Sequence, residues 1–413
     1  MKIFILTLII LKIIFKNYLT IKQIIYIYKR KEKIPAIFQD RIDLDKLKKS
    51  NSYNLEKLKF SIFSSNFSDV ILILFIFTPL FGIFSKYFSS LSLNYLLESL
   101  LFFSSLIFLN FLLTLPFDFY FNFKIEKKFN FSNYNFKNWS FDKIKELFIS
   151  LVIVNIITGF IILITGEKFV FSPIRIISII LITSILLIFF QYILPIVIIP
   201  FMYKMKRLDD TILSENIKNL IEKSGYTFDG VYVIKESEKS SHSNAMFTGL
   251  GNKKRVIIFD NLLKKFSNDE ILGIIGHEIG HGKLKHVLNF LFISIILSSI
   301  FIILSFIILS KDFFYDIFNI PNIAFSGLFL LYFLTSEIVL FFFNPLLNHI
   351  SRKFEYDADR FSKKILNSPD PLIKSFKKFA SEELVSLQVD PFYEFFYYSH
   401  PDLEKRIERL LKV

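Results

Sequence analysis

A chain of 413 residues that is 53% hydrophobic and 18% aromatic, with 54 phenylalanines and no cysteine, is more apolar than a soluble domain. The missing thiols exclude disulfide frameworks, cysteine nucleophiles and thiolate metal sites, so any metal must be held by histidine and carboxylate. The net charge of +13 comes without basic runs interleaved with stacking aromatics, which argues against nucleic acid as a partner and assigns the lysines to membrane topology.

In chain order, hydrophobic stretches near the roughly 20 residues needed to cross a bilayer fall at residues 3–28, 70–88, 96–115, 147–165, 176–200, 287–310 and 323–347. The first is read as a retained span rather than a signal peptide, because Lys12 and Lys16 interrupt it and no small-residue cleavage pattern follows. Basic residues crowd segments 29–59, 124–145 and 204–285 and the tail after Arg352. The positive-inside bias places these on the cytoplasmic side and the N-terminus outside, and an odd number of spans agrees. Lys12, Lys16, Asp69, Glu98, Asn110, Asp118, Asn155 and Glu337 lie at or inside span ends. Snorkelling accounts for each taken singly; Lys12 and Lys16, four residues apart on one helix face, are better placed to line a cavity.

The expected division is residues 1–203 as a transmembrane region with five spans, 204–286 as a cytoplasmic peptidase part, 287–348 as a transmembrane helix pair and 349–413 as a cytoplasmic part completing the site. Within the second part, segments 231–235, 244–247 and 255–259 read as short strands separated by turn residues. Ser267 followed three residues later by Glu270 has the form of a capping box opening a helix.

That helix carries HEIGH, residues 277–281. Four residues turn an α-helix by about 400°, so His277 and His281 stand within about 40° of one another and can share an ion. Glu278 is too close along the helix to be a comfortable third ligand but is placed to act on a metal-bound water, as the general base of a zinc peptidase does. His286 is about 180° around a straight helix from His277 and is read as a supporting or surface residue. The metzincin pattern would need histidine and glycine where Val287 and Leu284 stand. Glu355 is the better third ligand. Asp359 follows it on the same helix face, where it can orient a ligand histidine. The two spans between His281 and Glu355 return the chain to the same side of the membrane, so the motifs can meet. Two nitrogens and one oxygen leave a fourth position open, the mark of a catalytic rather than structural zinc, one ion per chain. The tail adds His400 and Arg406 as candidates to stabilise an oxyanion, although His400 before Pro401 reads equally as a turn residue.

Together HEIGH, FEYDAD, NAMFTG followed by KKRVIIFDNLL, and SHPDLEKR, with the N-terminal patterns KIPAIFQDRI and LPFDFYFNFKIEKKFNFSN, resemble the CAAX prenyl protease type 1 family of integral-membrane zinc peptidases. The resemblance implies a mainly α membrane protein, a barrel of seven transmembrane helices around a water-filled chamber, capped by a cytoplasmic zincin-like α+β metallopeptidase domain. It implies His277, His281 and Glu355 as zinc ligands, Glu278 as base, Asp359 behind the ligands, and His400 and Arg406 as transition-state or substrate contacts. It also implies that Asn244 and Ala245 pair with the substrate backbone. The reaction implied is release of three residues from a prenylated C-terminal CAAX peptide, so the partners are a peptide or protein substrate and the lipid bilayer. The membrane is then that of the endoplasmic reticulum, or a bacterial inner membrane if the phenylalanine-rich composition reflects AT-rich coding.

Two other readings remain at this level. One is a heat-shock-type quality-control zinc protease, which usually has fewer spans. The other is a non-catalytic metal-binding membrane protein or a transporter with an incidental motif; the intact Glu278 and the extramembrane site argue against it.

Overall fold

The computed structural model describes residues 1–192, 194–249 and 251–412. It opens with α1 (Lys2–Lys29), α2 (Leu44–Phe77), α3 (Leu80–Ser89), α4 (Tyr95–Tyr120), α5 (Phe136–Thr165), α6 (Pro173–Tyr192) and α7 (Leu194–Met202). Asp43 caps α2 by accepting from the Lys46 N–H at 2.8 Å, so the helix begins well before its apolar half. The expected span 70–88 is interrupted. Pro79 disfavours helical backbone at the residue before it, Thr78 is extended at ψ 178°, and the apolar run restarts as α3. The expected span 176–200 likewise falls on α6 and α7, with residue 193 outside the described set. Past Tyr120, α4 continues through a π-helical segment, Phe121–Glu126.

The membrane part packs through aromatic rings. Phe102 is fully buried and lies 4.6 Å from Phe325, with Phe81, Phe84, Phe88 and Phe329 around it. In lipid such contacts hold helices by close packing rather than by expulsion of water. Several charges at or inside the spans pair with one another instead of snorkelling singly. Lys12 binds Glu337 and lies 3.5 Å from Asp69, which also binds Lys16. Asp118 accepts from the Trp139 indole at 2.6 Å and from Lys143 at 3.0 Å.

The extramembrane part begins with β1 (Met205–Arg207), α8 (Thr211–Lys223), β2 (Thr227–Ile234), β3 (Ala245–Thr248) and β4 (Lys253–Phe259). These strands form one sheet in the order β1-β2-β4-β3, with β2 and β4 parallel and the outer strands antiparallel to them. The strand segments read from the sequence lie on β2, β3 and β4; three-residue β1 was too short to stand out. Ala245 pairs with Ile258 and Thr248 with Arg255, which leaves the other side of β3 as a sheet edge. After α9 (Asp260–Lys265) comes α10 (Asn268–Lys283), opened by the expected capping box: Ser267 Oγ accepts from Glu270 N–H, and Glu270 Oε2 accepts from Ser267 N–H at 2.9 Å.

The chain then re-enters the apolar region with α11 (His286–Leu309), α12 (Asp312–Phe318) and α13 (Ala324–Leu334). π-helical turns over Thr335–Leu340 lead into α14 (Phe341–Leu366), followed by α15 (Asp370–Glu382), α16 (Pro391–Tyr397) and α17 (Leu403–Lys412). Pro345 lies inside α14, one turn beyond the π-helical segment. Among the described residues, seven helices are long and apolar enough to cross a membrane. Two glycines set α10 against its neighbours. A Cβ on Gly273 would stand 2.6 Å from the backbone nitrogen of Leu372, and one on Gly280 would stand 3.0 Å from Cα of Ala358. Each glycine costs about 1 kcal/mol of helix propensity but lets α10 lie nearly backbone to backbone on α14 and α15.

Candidate metal centre

That close approach puts HEIGH on α10 opposite Glu355 and Asp359 on α14. Nε2 of His277 and Nε2 of His281 are 3.1 Å apart, Nε2 of His281 is 3.2 Å from Oε1 of Glu355, and Nε2 of His277 is 3.4 Å from Oε2. Donor atoms about 3.3 Å apart are the edges of a tetrahedron with bonds of about 2.0–2.1 Å, the range for nitrogen and carboxylate ligands of zinc. Glu355 is buried, and its Oε2 is met from behind by Nη1 of Arg406 at 3.1 Å. A buried carboxylate whose two oxygens each face an imidazole nitrogen, Oε1 toward His281 and Oε2 toward His277, fits a cation. The residues present therefore suit zinc.

Each imidazole is aimed from behind. Nδ1 of His277 lies 2.8 Å from Oδ1 of Asp359; an ionised carboxylate only accepts, so Nδ1 carries the proton and Nε2 presents its lone pair. Nδ1 of His281 lies 3.0 Å from Nδ1 of His286. With His281 donating, its Nε2 is likewise free. His286 is 4% exposed and stacked on Phe354 with centroids 4.2 Å apart, so it is buried support, not a surface residue. It can reach back because α10 does not run straight through: Lys285 adopts left-handed φ 58° and α11 starts at His286.

Arg406 is buried and held by two carboxylates. Its Nε and Nη2 donate to the two oxygens of Asp359 at 2.9 and 2.6 Å, Nη1 is 3.1 Å from Glu355, and the guanidinium lies over the Phe376 ring at 4.3 Å. Burial works against its charge, but Asp359 and Glu355 outweigh that and raise its proton affinity. With only protein groups around it, burial also disfavours the charged form of His277, yet Asp359 and Glu355 push its pKa up to about 9. Glu278 has no hydrogen bond or ion pair among the described residues, and burial raises its pKa against the opposing pull of His277 and His281. His400 reaches the site from the tail, its Nε2 3.4 Å from Glu355 Oε1, with the side chain 63% exposed.

Asn244, exposed, and Ala245, buried, sit at the start of edge strand β3. The Phe259 N–H donates to the Asn244 carbonyl at 3.0 Å, so by strand alternation the N–H groups of Ala245 and Phe247 face away from β4. The Ala245 N–H is covered by the Asn244 side-chain oxygen at 2.8 Å.

Residues 207–413 match peptidase family M48, and residues 23–204 match the CAAX prenyl protease N-terminal family with its five membrane helices. The chain is 32% identical to CAAX prenyl protease 1 of Saccharomyces cerevisiae over 96% of its own length and 92% of the relative's, and 27% identical to the Homo sapiens CAAX prenyl protease 1 homolog over 93% and 90%. The crystal structure of S. mikatae Ste24p superposes with a TM-score of 0.90 at 29% identity, covering 99% of this chain and 98% of that one. With seven membrane-length helices and a two-histidine, one-glutamate cluster beside a free glutamate, the chain belongs to the CAAX prenyl protease 1 family of M48 zinc metallopeptidases.

Proposed function

We propose that the protein removes three C-terminal residues from prenylated CAAX proteins, at one zinc held by His277, His281 and Glu355 on the cytoplasmic side of a eukaryotic membrane, the endoplasmic reticulum by preference. The observation that carries this reading is the unpartnered carboxylate of Glu278 beside three converging ligand atoms, in a chain aligned over nearly its whole length with CAAX prenyl proteases. Zinc there supplies a Lewis acid that acidifies water and polarises the scissile carbonyl. Glu278 takes the proton of the attacking water and returns it to the leaving amine; its raised pKa moves toward the neutral range where one group can do both. Asp359 and His286 hold the imidazoles in the ligating tautomer. Arg406 acts by clasping Asp359 and Glu355. His400, exposed next to Glu355, is the group placed to meet the developing oxyanion. The outward side of β3 at Asn244 and Ala245 binds the substrate backbone as an added strand.

The prenyl group adds remote binding energy, about 0.8 kcal/mol per buried methylene, that can be used to position the scissile bond. Purified protein given matched farnesylated and unmodified CAAX peptides should cleave the farnesylated one with higher kcat/KM. Equal cleavage would retire the prenyl specificity and leave the peptidase. Efficient cleavage of an unfolded membrane-protein fragment, with no effect of lipid, would favour quality control.

A further inference from the structure

The segment that delivers the chain to β3, between Ile234 and Asn244, is held from three directions. Ser240 forms a β-bridge with Ser132, the Ser241 N–H donates to the Phe131 carbonyl at 2.8 Å, and the Asn133 N–H donates to the Lys239 carbonyl at 2.9 Å; residues 131–133 follow the third long apolar helix. Asn261, from α9, donates to the carbonyls of Ser240 at 2.6 Å and His242 at 3.1 Å. The Ser243 N–H donates to Glu383, just past α15, at 3.1 Å.

At the centre of these contacts is the His242 ring. Its Nε2 is 2.9 Å from Glu126 Oε2, its Nδ1 is 2.6 Å from Glu383 Oε2, and its face stacks on Phe131 with centroids 4.4 Å apart at 17°. Two ionised carboxylates accept from both nitrogens, so the ring is a charged double donor. Each carboxylate is itself fixed: Glu126 accepts from the Tyr53 hydroxyl at 2.6 Å, and Glu383 accepts from Lys265 at 3.0 Å. Glu126 closes the π-helical segment at the end of the third long helix, whereas Glu383 belongs to the C-terminal part that also carries Arg406. One imidazolium therefore ties together two separate parts of the chain, two residues before the strand edge at Asn244. None of its contacts is to a zinc-ligand residue.

We infer that His242 is a positioning residue that fixes the β3 edge over the metal centre by bridging Glu126 and Glu383. This rests on the proposed docking of the substrate backbone on β3. β3 is paired along one side only, with β4, so the segment leading into it shares in setting where its free edge stands. The His242 bridge anchors the N-terminal end, where Asn244 and Ala245 stand.

The test is steady-state kinetics on a farnesylated CAAX peptide with zinc content measured on the same samples. His242→Gln should keep one zinc per chain and raise KM about tenfold, with kcat changed less than about threefold, the pattern of lost ground-state docking. Glu383→Gln should reproduce the split, and it serves in place of His242→Gln if that variant does not fold. Asn244→Ala distinguishes the two readings. The substitution uncovers the outward Ala245 N–H; if it shifts KM in either direction and the bridge variants do not, the bridge inference alone fails, and if it leaves KM unchanged, docking at this end of β3 fails. Loss of zinc, or a fall in kcat at constant KM, in His242→Gln or Glu383→Gln would also overturn the inference.

Discussion

Replacing Asp359 with asparagine keeps the shape of the side chain and removes the charge that faces the Arg406 guanidinium and the His277 N–H. Asp359 is 2% exposed and accepts from Arg406 at 2.6 and 2.9 Å and from His277 at 2.8 Å. In Asp359→Asn the buried guanidinium keeps only Glu355, 3.1 Å away, and Glu355 is itself a proposed ligand. Breaking a buried pair from one side costs about 3–5 kcal/mol, most of it the orphaned charge. Losing the carboxylate behind His277 should separately weaken zinc about 10–100-fold. The two effects can be told apart. Arg406→Met removes the cation onto an apolar neighbour, Phe376, and the double variant Asp359→Asn/Arg406→Met leaves neither partner of the Asp359–Arg406 pair orphaned, while Glu355 loses its Arg406 contact in the Arg406→Met single and in the double alike. Thermal midpoints of the zinc-free protein in detergent should fall in both single variants, and the double should lie well above the sum of the two losses. Zinc affinity by chelator competition should be reduced in Asp359→Asn and in the double variant alike. Additive losses, or wild-type zinc affinity in Asp359→Asn, would refute the roles given to this carboxylate.

Glu278→Gln should retain one zinc per chain and lose about 10²–10⁴ in kcat, read by metal analysis and single-turnover cleavage; near-normal turnover would end its assignment as base. His286→Phe keeps the stack on Phe354 but removes the acceptor for His281, so zinc affinity should drop about tenfold while the fold survives. Because the chain has no native cysteine, single cysteines at Ser89 and Asp312 should label from outside the cytoplasm and one at Asn252 should not; the reverse pattern would move the site across the membrane. A pH series tests His242. Burial opposes its charge, yet Glu126 and Glu383 push its pKa up to about 9 from an ordinary 6.5, with Tyr53, Lys57, Lys239 and Lys265 the other titratable groups around it. A raised pKa means the contribution is fully present below about pH 6.5 and is lost as pH rises through about 9. The thermal midpoint difference between wild type and His242→Gln should therefore shrink between pH 6.5 and 9.5, and a constant difference would count against an imidazolium.

What the sequence made legible was set by how local each signal is. HEIGH could be read because four residues of one helix decide which side chains share a face, and the capping box because its partners are three residues apart. Glu355 lay outside any local spacing: counting the spans between it and His281 allowed it, and the family resemblance implied it. The break at Thr78 lay in view as Pro79 inside an apolar run, but hydropathy alone reads through a proline. The charge pairs in the membrane were beyond reach: Lys12 meets Glu337 across 325 residues, and no periodicity links them.

Arg406 shows the same limit at the active site. From the sequence it is a cation following a histidine in the tail, a plausible substrate contact. Its place behind Asp359 depends on α17 crossing to α14, 47 residues earlier in the chain, and on α14 lying close enough to α10 for Asp359 to reach His277, 82 residues earlier still. That second approach did leave a trace in the sequence. Gly273, Gly276 and Gly280 recur at helical spacing through α10, and the facing residues include Ala358 and Ser362. A helix that accepts glycine on one face, at about 1 kcal/mol each, is a helix against which another backbone must lie. Side chains on two helices that close can share one ion, so the glycines within and before HEIGH bear on the metal centre as directly as its histidines do. Gly280→Val should therefore lower zinc affinity without touching a ligand, by pushing Ala358, and with it Glu355 and Asp359, away from α10. Unchanged zinc binding in that variant would show that the ligands can close on the ion without the close helix contact.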